Sequence, residues 1–302
     1  MKAHLPASSN VLVIGQEGFL GSYIYSYLKR LGYLVLGTSK RGDCGDFAFS
    51  LGATSASTLP LKEIDACVIC AGITGIKECE EAPGKSATVN VDAISTLVRE
   101  LTASDIFIIF ISSSAVFSGD HEGPSEFSVR DPATIYGAQK LACEQFIELD
   151  PKIKSLTSVL RLTKCISSKT PIVKQIIDLT APPVPAFKNV SLCPISPDFV
   201  CKAITQILSF GTTGISHLSG EFELSYFDFF SQLCSILTIN PDRIIGCLAP
   251  PEKKSESLSP ALAMNRTARV LSLSPEPTDQ VLEFIKNELM LDNQSGKIEI
   301  SI

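Results

Sequence analysis

A phenol and an ammonium four residues apart are the first chemistry this sequence offers. Tyr136 and Lys140 stand in "DPATIYGAQKLACEQ" (131–145). At helical spacing they share one face. Free tyrosine has a pKa of about 10, too high for efficient proton transfer near neutrality. A neighbouring ammonium favours the phenolate. A hydroxyl supplier lies upstream, because the run "IFIIFISSS" (106–114) ends in Ser112, Ser113 and Ser114. A serine hydroxyl can orient a carbonyl oxygen and stabilise the negative charge that develops on it. Ser113, Tyr136 and Lys140 together make a unit for carbonyl reduction or alcohol oxidation. "YSYLK" offers a second pair at the same spacing, Tyr25 and Lys29, and position has to decide between the two.

The elements that position them follow from the pattern of apolar runs. "NVLVIG" (10–15), "YLVLGTS" (33–39), "DACVICAG" (65–72), "IFIIFISSS" and "LTSVLRL" (156–162) are continuous rather than alternating. Such runs suit strands of a parallel sheet covered on both faces. Helix-compatible segments 18–31, 85–103 and 134–149 lie between them, so the expected fold is α/β, a Rossmann-type doubly wound parallel sheet. Ligands of such sheets bind outside the carboxyl ends of the strands. Ser113 and Tyr136 fall there. Tyr25 and Lys29 fall on the middle of the first helix, away from it, and are assigned to packing and surface.

The turn "GQEGFLG" has glycines at 15, 18 and 21 between a strand and a helix. Gly15 permits the tight turn, Gly18 a close approach to a pyrophosphate, and Gly21 close helix packing. The helix N-terminus offers N–H groups to the anion. Phe19 and Leu20, inside the turn, are included in the cofactor site. A carboxylate after the second strand would mark a ribose 2′-hydroxyl. Here Ser39 is followed by Lys40 and Arg41, a cationic pair that suits a 2′-phosphate, so NADP is favoured and NAD stays open; Asp43 could still hold a hydroxyl. Asp46 and Phe47 are placed beside the adenine. Ala71, Gly72, Ile73 and Thr74 follow a strand end and line the nicotinamide pocket, with Thr74 towards substrate.

Beyond about residue 165 the alternation breaks. "TAPPVPAFKN" (180–189) is a proline-rich turn region, 197–210 and 225–237 are amphipathic helices, 249–260 is a polar loop and 276–289 is a terminal helix. The expected division is a nucleotide-binding domain, 1–165, and a smaller C-terminal substrate-binding lobe, 166–302, with an approximate boundary that the chain may cross again. A formal net charge of −6 without a basic run argues against nucleic acid. No apolar run approaches the ~20 residues of a membrane span, and the N-terminus lacks the apolar core of a secretion signal. A cytoplasmic location with reduced thiols is expected. Cys67 and Cys70 sit on a strand, where residues three apart point to opposite faces, so they are core residues rather than a metal or redox pair. His4, His121 and His217 have no metal-ligand spacing, and no metal is expected. A homodimer is left open.

The segment "ISSSAVFSGDHEGPSEFSVRDPATIYGAQKLACEQ" (111–145) closely resembles the extended short-chain dehydrogenase/reductases. The hydroxyl pair, Val-Phe-x-Gly, Pro124, Glu126, Pro132, Tyr-Gly-x-x-Lys and Glu144 carry the likeness. Within that superfamily it is most similar to the dTDP-4-dehydrorhamnose reductases, which reduce a nucleotide-sugar 4-ketone. Segments 70–94, 193–204 and 214–230 extend the likeness over about residues 10–290. The resemblance implies Ser113 as catalytic hydroxyl, Tyr136 as acid and Lys140 as its partner, NADP as cofactor and a nucleotide sugar as substrate. Ser114, Arg161 and Lys164 are candidate substrate contacts, the last two for a diphosphate, and Lys188 is a further candidate. Ser114-Ala115 stands where related 4,6-dehydratases carry an Asp-Glu pair, which disfavours dehydration. "SSSA" also resembles the NAD-dependent 4-epimerases. A third alternative is a non-catalytic NADP-binding regulatory subunit, as in the relative that partners methionine adenosyltransferase.

Overall fold

In a computed structural model of the chain, residues 5–42, 45–119, 123–250 and 261–294 are described; His4, Asp43 and His121 lie outside them. Six strands appear in the first half: β1 (Asn10–Ile14), β2 (Leu34–Ser39), β3 (Phe47–Ala48), β4 (Ala66–Ile69), β5 (Phe107–Ser113) and β6 (Thr157–Leu162). A seventh, Gly214–Leu218, joins the edge beside β6, giving the spatial order Gly214–Leu218, β6, β5, β4, β1, β2, β3. All six pairings are parallel. β1 is therefore flanked by β2 and β4, and the connections run to opposite sides from it. That crevice is the switch point where ligands of open α/β sheets bind.

Each face of the sheet buries its own core, which explains the continuous apolar runs. Val11, Val13, Val68, Ile109 and Leu160 point to one face, where Ile24 and Leu28 of α1 (Phe19–Arg30) and Val200, Ile204 and Ile207 of the helix Pro197–Phe210 cover them. Leu12, Ile69, Ile108, Phe110 and Val159 point to the other, under Leu97, Val98 and Leu101. Cys67 lies in the second core and Cys70 packs on the first, the opposite-face arrangement that strand alternation dictates. Burial pushes the Cys70 thiol up to about 12, and no cluster of three metal-ligating side chains occurs among the described residues. None of the described helices is long and apolar enough to cross a membrane.

A third core, around Val173, Ile176, Phe229, Phe230, Leu233, Val281 and Ile285, belongs to the C-terminal lobe. The chain reaches it through residues 164–195 and then returns to the main sheet. The helix Pro197–Phe210 starts on a Ser196 cap that accepts the Phe199 N–H at 3.1 Å and ends on Gly211 in the left-handed region. It packs on α1, and the strand Gly214–Leu218 follows. The two lobes are therefore interleaved in sequence past residue 165. The segment 85–103 also differs from a single helix: Pro83–Ala87 and Ile94–Ala103 are α-helical, and Thr88–Ala93 between them is a π-helical turn.

Glu276 joins the C-terminal helix region to the cap of the helix Pro197–Phe210. Its carboxylate accepts the Ser196 N–H at 2.7 Å and the Ser196 O–H at 2.6 Å. Desolvation raises its pKa to about 7, outweighing those two hydrogen bonds. A raised folded-state pKa contributes stability below the unfolded value and loses it as pH rises through about 7. At about 1.4 kcal/mol per unit, the loss is on the order of 3 kcal/mol. Urea denaturation of wild type and Glu276→Gln at about pH 5 and about pH 8 is expected to show wild type losing more stability than the variant. Equal losses in the two proteins would exclude this carboxyl as the source.

Candidate active site

The carboxyl end of β1 turns through Gly15, whose φ of +90° and Cβ position, 3.0 Å from the Ala71 backbone, admit only glycine. A Cβ on Gly21 would run into the Gly15 carbonyl oxygen, so this glycine lets α1 lie against the turn. The Gly15 N–H donates to Thr38 Oγ1 at 3.1 Å and the Gly18 N–H to the Gly15 carbonyl at 3.0 Å. Gly18 caps α1 without a side-chain hydrogen bond, and the first helical turn holds no acid. The amides at this helix start are thus uncompensated by the protein and suit an anion.

A cleft opens from this turn. Ser39 and Lys40 form one wall, Phe49, Ser50 and Leu51 a second, and Ala71, Gly72 and Ile73 a third. Its glycine cradle and its mix of apolar and hydroxyl-bearing walls suit a dinucleotide. Several placements differ from the expectation. Asp46 turns its carboxylate to the Gly37 N–H at 2.8 Å and Phe47 packs on the core, so neither forms the wall; the residues after them do. Phe19 stacks edge-on to Tyr23 at 5.7 Å and Leu20 packs on the core. Both contribute backbone to the turn and keep their side chains out of the cleft wall. Arg41 is exposed beyond Lys40. Glu17, Lys85 and Val89 line the cleft as well, and the Glu17 carboxylate accepts the Lys40 N–H at 3.0 Å. Nothing in the spacing of these three marked them.

The residues expected to transfer the proton lie about the carboxyl end of β5. The helix Ile135–Leu149 begins on Thr134, whose Oγ1 accepts the Gly137 N–H at 3.0 Å. Gly137 packs against the Ala115 carbonyl so closely that a Cβ would overlap it. That contact holds the helix start, with the half-buried Tyr136, against Ala115, two residues beyond the Ser113 strand end. One turn on, Lys140 is 7% exposed. It donates to the Ile111 carbonyl at 2.8 Å and sits 4.7 Å from the Phe110 ring and 5.9 Å from the Tyr136 ring. Ser113 Oγ accepts the Ala115 N–H at 3.1 Å, which leaves its own proton to be donated. Tyr25 and Lys29 lie on the outer part of α1, the ammonium 5.4 Å from the ring, far along the helix from the turn.

Two expected substrate contacts, Arg161 and Ser114, are placed otherwise. Arg161 is fully buried: its Nε and Nη2 meet the two Glu144 oxygens at 3.0 and 2.7 Å, and Nη1 lies 3.1 Å from His217 Nε2. Desolvating a guanidinium requires such partners, and none of it is left for a diphosphate. His217 donates from Nδ1 to the Ala263 carbonyl at 3.0 Å. Burial first, and the Arg161 charge second, hold it down at about 3, so it stays neutral. Ser114 is 2% exposed, within the short turn after β5, and is covered rather than presented to a ligand. Lys164, by contrast, is solvent-open at the carboxyl end of β6 but closely surrounded, and desolvation lowers its pKa. Thr74 is exposed beside the cleft. Lys188 stacks on Phe227 at 4.7 Å in the second lobe. Glu126 is 5% exposed, in the loop before Tyr136.

The residue that sequence reasoning passed over is Asn90, 2% exposed in the π-helical turn. Its Oδ1 accepts the Ile73 N–H and its Nδ2 donates to the Ile73 carbonyl, both at 2.8 Å. It clamps the cleft loop at both ends of one residue. An asparagine inside an apolar helical pattern was the available signal.

A glycine turn at the sheet switch point, with a Ser-Tyr-Lys group at the end of β5, defines an extended short-chain dehydrogenase/reductase. More particularly, the chain belongs to the RmlD substrate binding domain family, whose model matches residues 9–289. A probable low-salt glycan biosynthesis reductase of Haloferax volcanii is 25% identical over 238 residues, 74% of this chain and 79% of that protein. The methionine adenosyltransferase 2 subunit beta of Bos taurus is 29% identical over 140 residues, 45% of this chain and 42% of that one. The fold matches that of dTDP-4-dehydrorhamnose reductase from Bacillus anthracis, solved in complex with NADP. The TM-score is 0.78, with 93% of this chain and 98% of that one covered at 19% identity. At that identity the likeness speaks for the fold.

Proposed function

We propose that this chain is an NADP-dependent reductase of a keto group on a nucleotide-activated sugar. The observation that carries the proposal is the meeting of Ser113, Tyr136 and Lys140 at the carboxyl end of β5, on the same edge of the sheet as the glycine-turn cleft. The family and the Haloferax reductase support the substrate class. Lys40 in the cleft wall and Arg41 beside it favour the 2′-phosphate of NADP, the dinucleotide of the Bacillus anthracis structure.

The chain's own residues divide the work. The amides of the Gly15–Gly21 turn hold the pyrophosphate, and Ala71, Gly72 and Ile73 wall the nicotinamide side. When bound, the reduced nicotinamide supplies the hydride to the carbonyl carbon. Ser113 donates its hydroxyl hydrogen to the ketone oxygen and aligns it. Tyr136 gives that oxygen its proton, so the product is an alcohol. Lys140, fixed by the Ile111 carbonyl, stabilises the phenolate left behind. Lys164, exposed just past β6, offers a cation for the anionic nucleotide part.

NADPH oxidation by the purified chain, measured against a panel of nucleotide-linked 4-ketosugars, tests this. Turnover on at least one member is expected. Tight NADP binding with no turnover on any would favour a second reading, a regulatory subunit, to which the methionine adenosyltransferase relative points.

A further inference from the structure

Between the helix that carries Tyr136 and Lys140 and the loop that walls the cleft runs a buried chain of side-chain amides, beside a Cys143 thiol that donates to the Asn90 carbonyl at 2.9 Å. Gln139, 6% exposed, precedes Lys140 directly. Its Nε2 donates to Ser86 Oγ at 2.7 Å, and its Oε1 accepts from Asn90 Nδ2 at 2.8 Å. Asn90 spends its remaining amide groups on both sides of Ile73. Its second Nδ2 hydrogen has Gln139 Oε1 as its well-placed acceptor, since Cys79 Sγ stands at 3.9 Å. Ser86 Oγ is itself turned towards the Ala82 and Pro83 carbonyls, both at 3.1 Å. It therefore receives from Gln139, and that reception fixes which end of the Gln139 amide faces Asn90.

We propose that Gln139 is a positioning residue: it fixes the Asn90 amide, and so ties the geometry of the Ala71–Ile73 loop to the helix bearing Tyr136 and Lys140. Without it a buried N–H loses its acceptor, a cost large enough to let Asn90 rotate. The Ile73 clamp then loosens on the cofactor side. An apolar side chain of similar length would fill the space as well, so packing alone does not account for an amide here.

The inference rests on the dinucleotide reading of the cleft, and calorimetric titration with NADP separates the two. Wild type is compared with Gln139→Met, Gln139→Ala, Gln139→Glu, Asn90→Ala and the doubles that combine Asn90→Ala with the first two. The dissociation constant is expected to rise about tenfold in Gln139→Met and Gln139→Ala. Gln139→Glu, which keeps an acceptor, is expected to stay within about threefold of wild type. Adding either loss-of-acceptor change to Asn90→Ala should give little further effect, because the two residues act in series. Either Met or Ala suffices if the other does not fold. Wild-type affinity in both, or the same factor in the presence and absence of Asn90, overturns the inference while wild-type binding stands. Failure of wild type itself to bind overturns the dinucleotide reading and this inference together.

Discussion

Tyr136→Phe is expected to lower kcat by about 10²–10⁴-fold, the span of a single general acid–base group, while NADP binding changes by less than about threefold. The substitution removes one oxygen from a half-buried ring. Everything that seats the residue is backbone or belongs to its neighbours: the Thr134 cap on the Gly137 N–H, the contact of Gly137 with Ala115, and the Lys140 bond to the Ile111 carbonyl. The phenyl ring can therefore occupy the same place. Lys140 keeps its carbonyl anchor and its position over Phe110. What is lost is the proton that the ketone oxygen receives, and with it the phenolate that the ammonium would have stabilised. Tyr25→Phe is the control, since it has the same residue spacing on α1 but lies away from the cleft; it should leave turnover unchanged. Steady-state rates and calorimetry on both variants decide the matter. Full turnover in Tyr136→Phe would take this phenol out of the reaction.

The contrast between the two tyrosines also shows what could be read from sequence. Tyr136 and Tyr25 have identical local chemistry, and only strand order tells them apart. That order was legible because the strands meeting at the switch point are buried on both faces and consist of unbroken apolar residues. The edge strand "GISHL" was not. Ser216 and His217 interrupt its apolar run, yet both are buried, with His217 directly across from Arg161 in the pairing register. A matched buried polar pair looks, in one dimension, like two surface residues. Arg161 was drawn towards a diphosphate for the same reason, because its carboxylate partner sits on a helix seventeen positions earlier and no local pattern links them. The cleft wall failed differently. Phe47 and Phe49 are two apart in an extended segment and share a face. Both pack on the same core, and Phe49 is the one that also lines the cleft. The π-helical turn at Asn90 leaves no trace in apolar periodicity, and its side-chain partners are in two other elements.

Glu144 and Glu148 give the second large effect, and the comparison between them carries the physics. They are one turn apart on the same helix and share Arg130 as a partner, at 3.3 and 3.0 Å. Glu148 keeps 34% of its side chain in solvent, whereas Glu144 has none. An open pair is worth about 0–1 kcal/mol, because water solvates either charge once the other is gone. Glu144 has no such alternative. Its two oxygens take the Ser112 O–H at 2.5 Å and both arms of Arg161. His217, neutral and already bonded to Arg161 and the Ala263 carbonyl, cannot replace a carboxylate. Glu144→Ala strands a buried guanidinium, and the expected cost is about 3–5 kcal/mol; Glu148→Ala should cost less than about 1 kcal/mol. For a chain of this length that separates the melting temperatures by about 3–8 °C. Thermal and urea unfolding of the two variants measure it. Because Ser112 adjoins Ser113 and Arg161 lies on the neighbouring strand, Glu144→Ala should also lower turnover at temperatures where it is still folded. Equal stability losses at 144 and 148 would mean that water reaches Arg161, and the carboxylate would then be dispensable as a tie between β5, β6 and the helix that bears Tyr136.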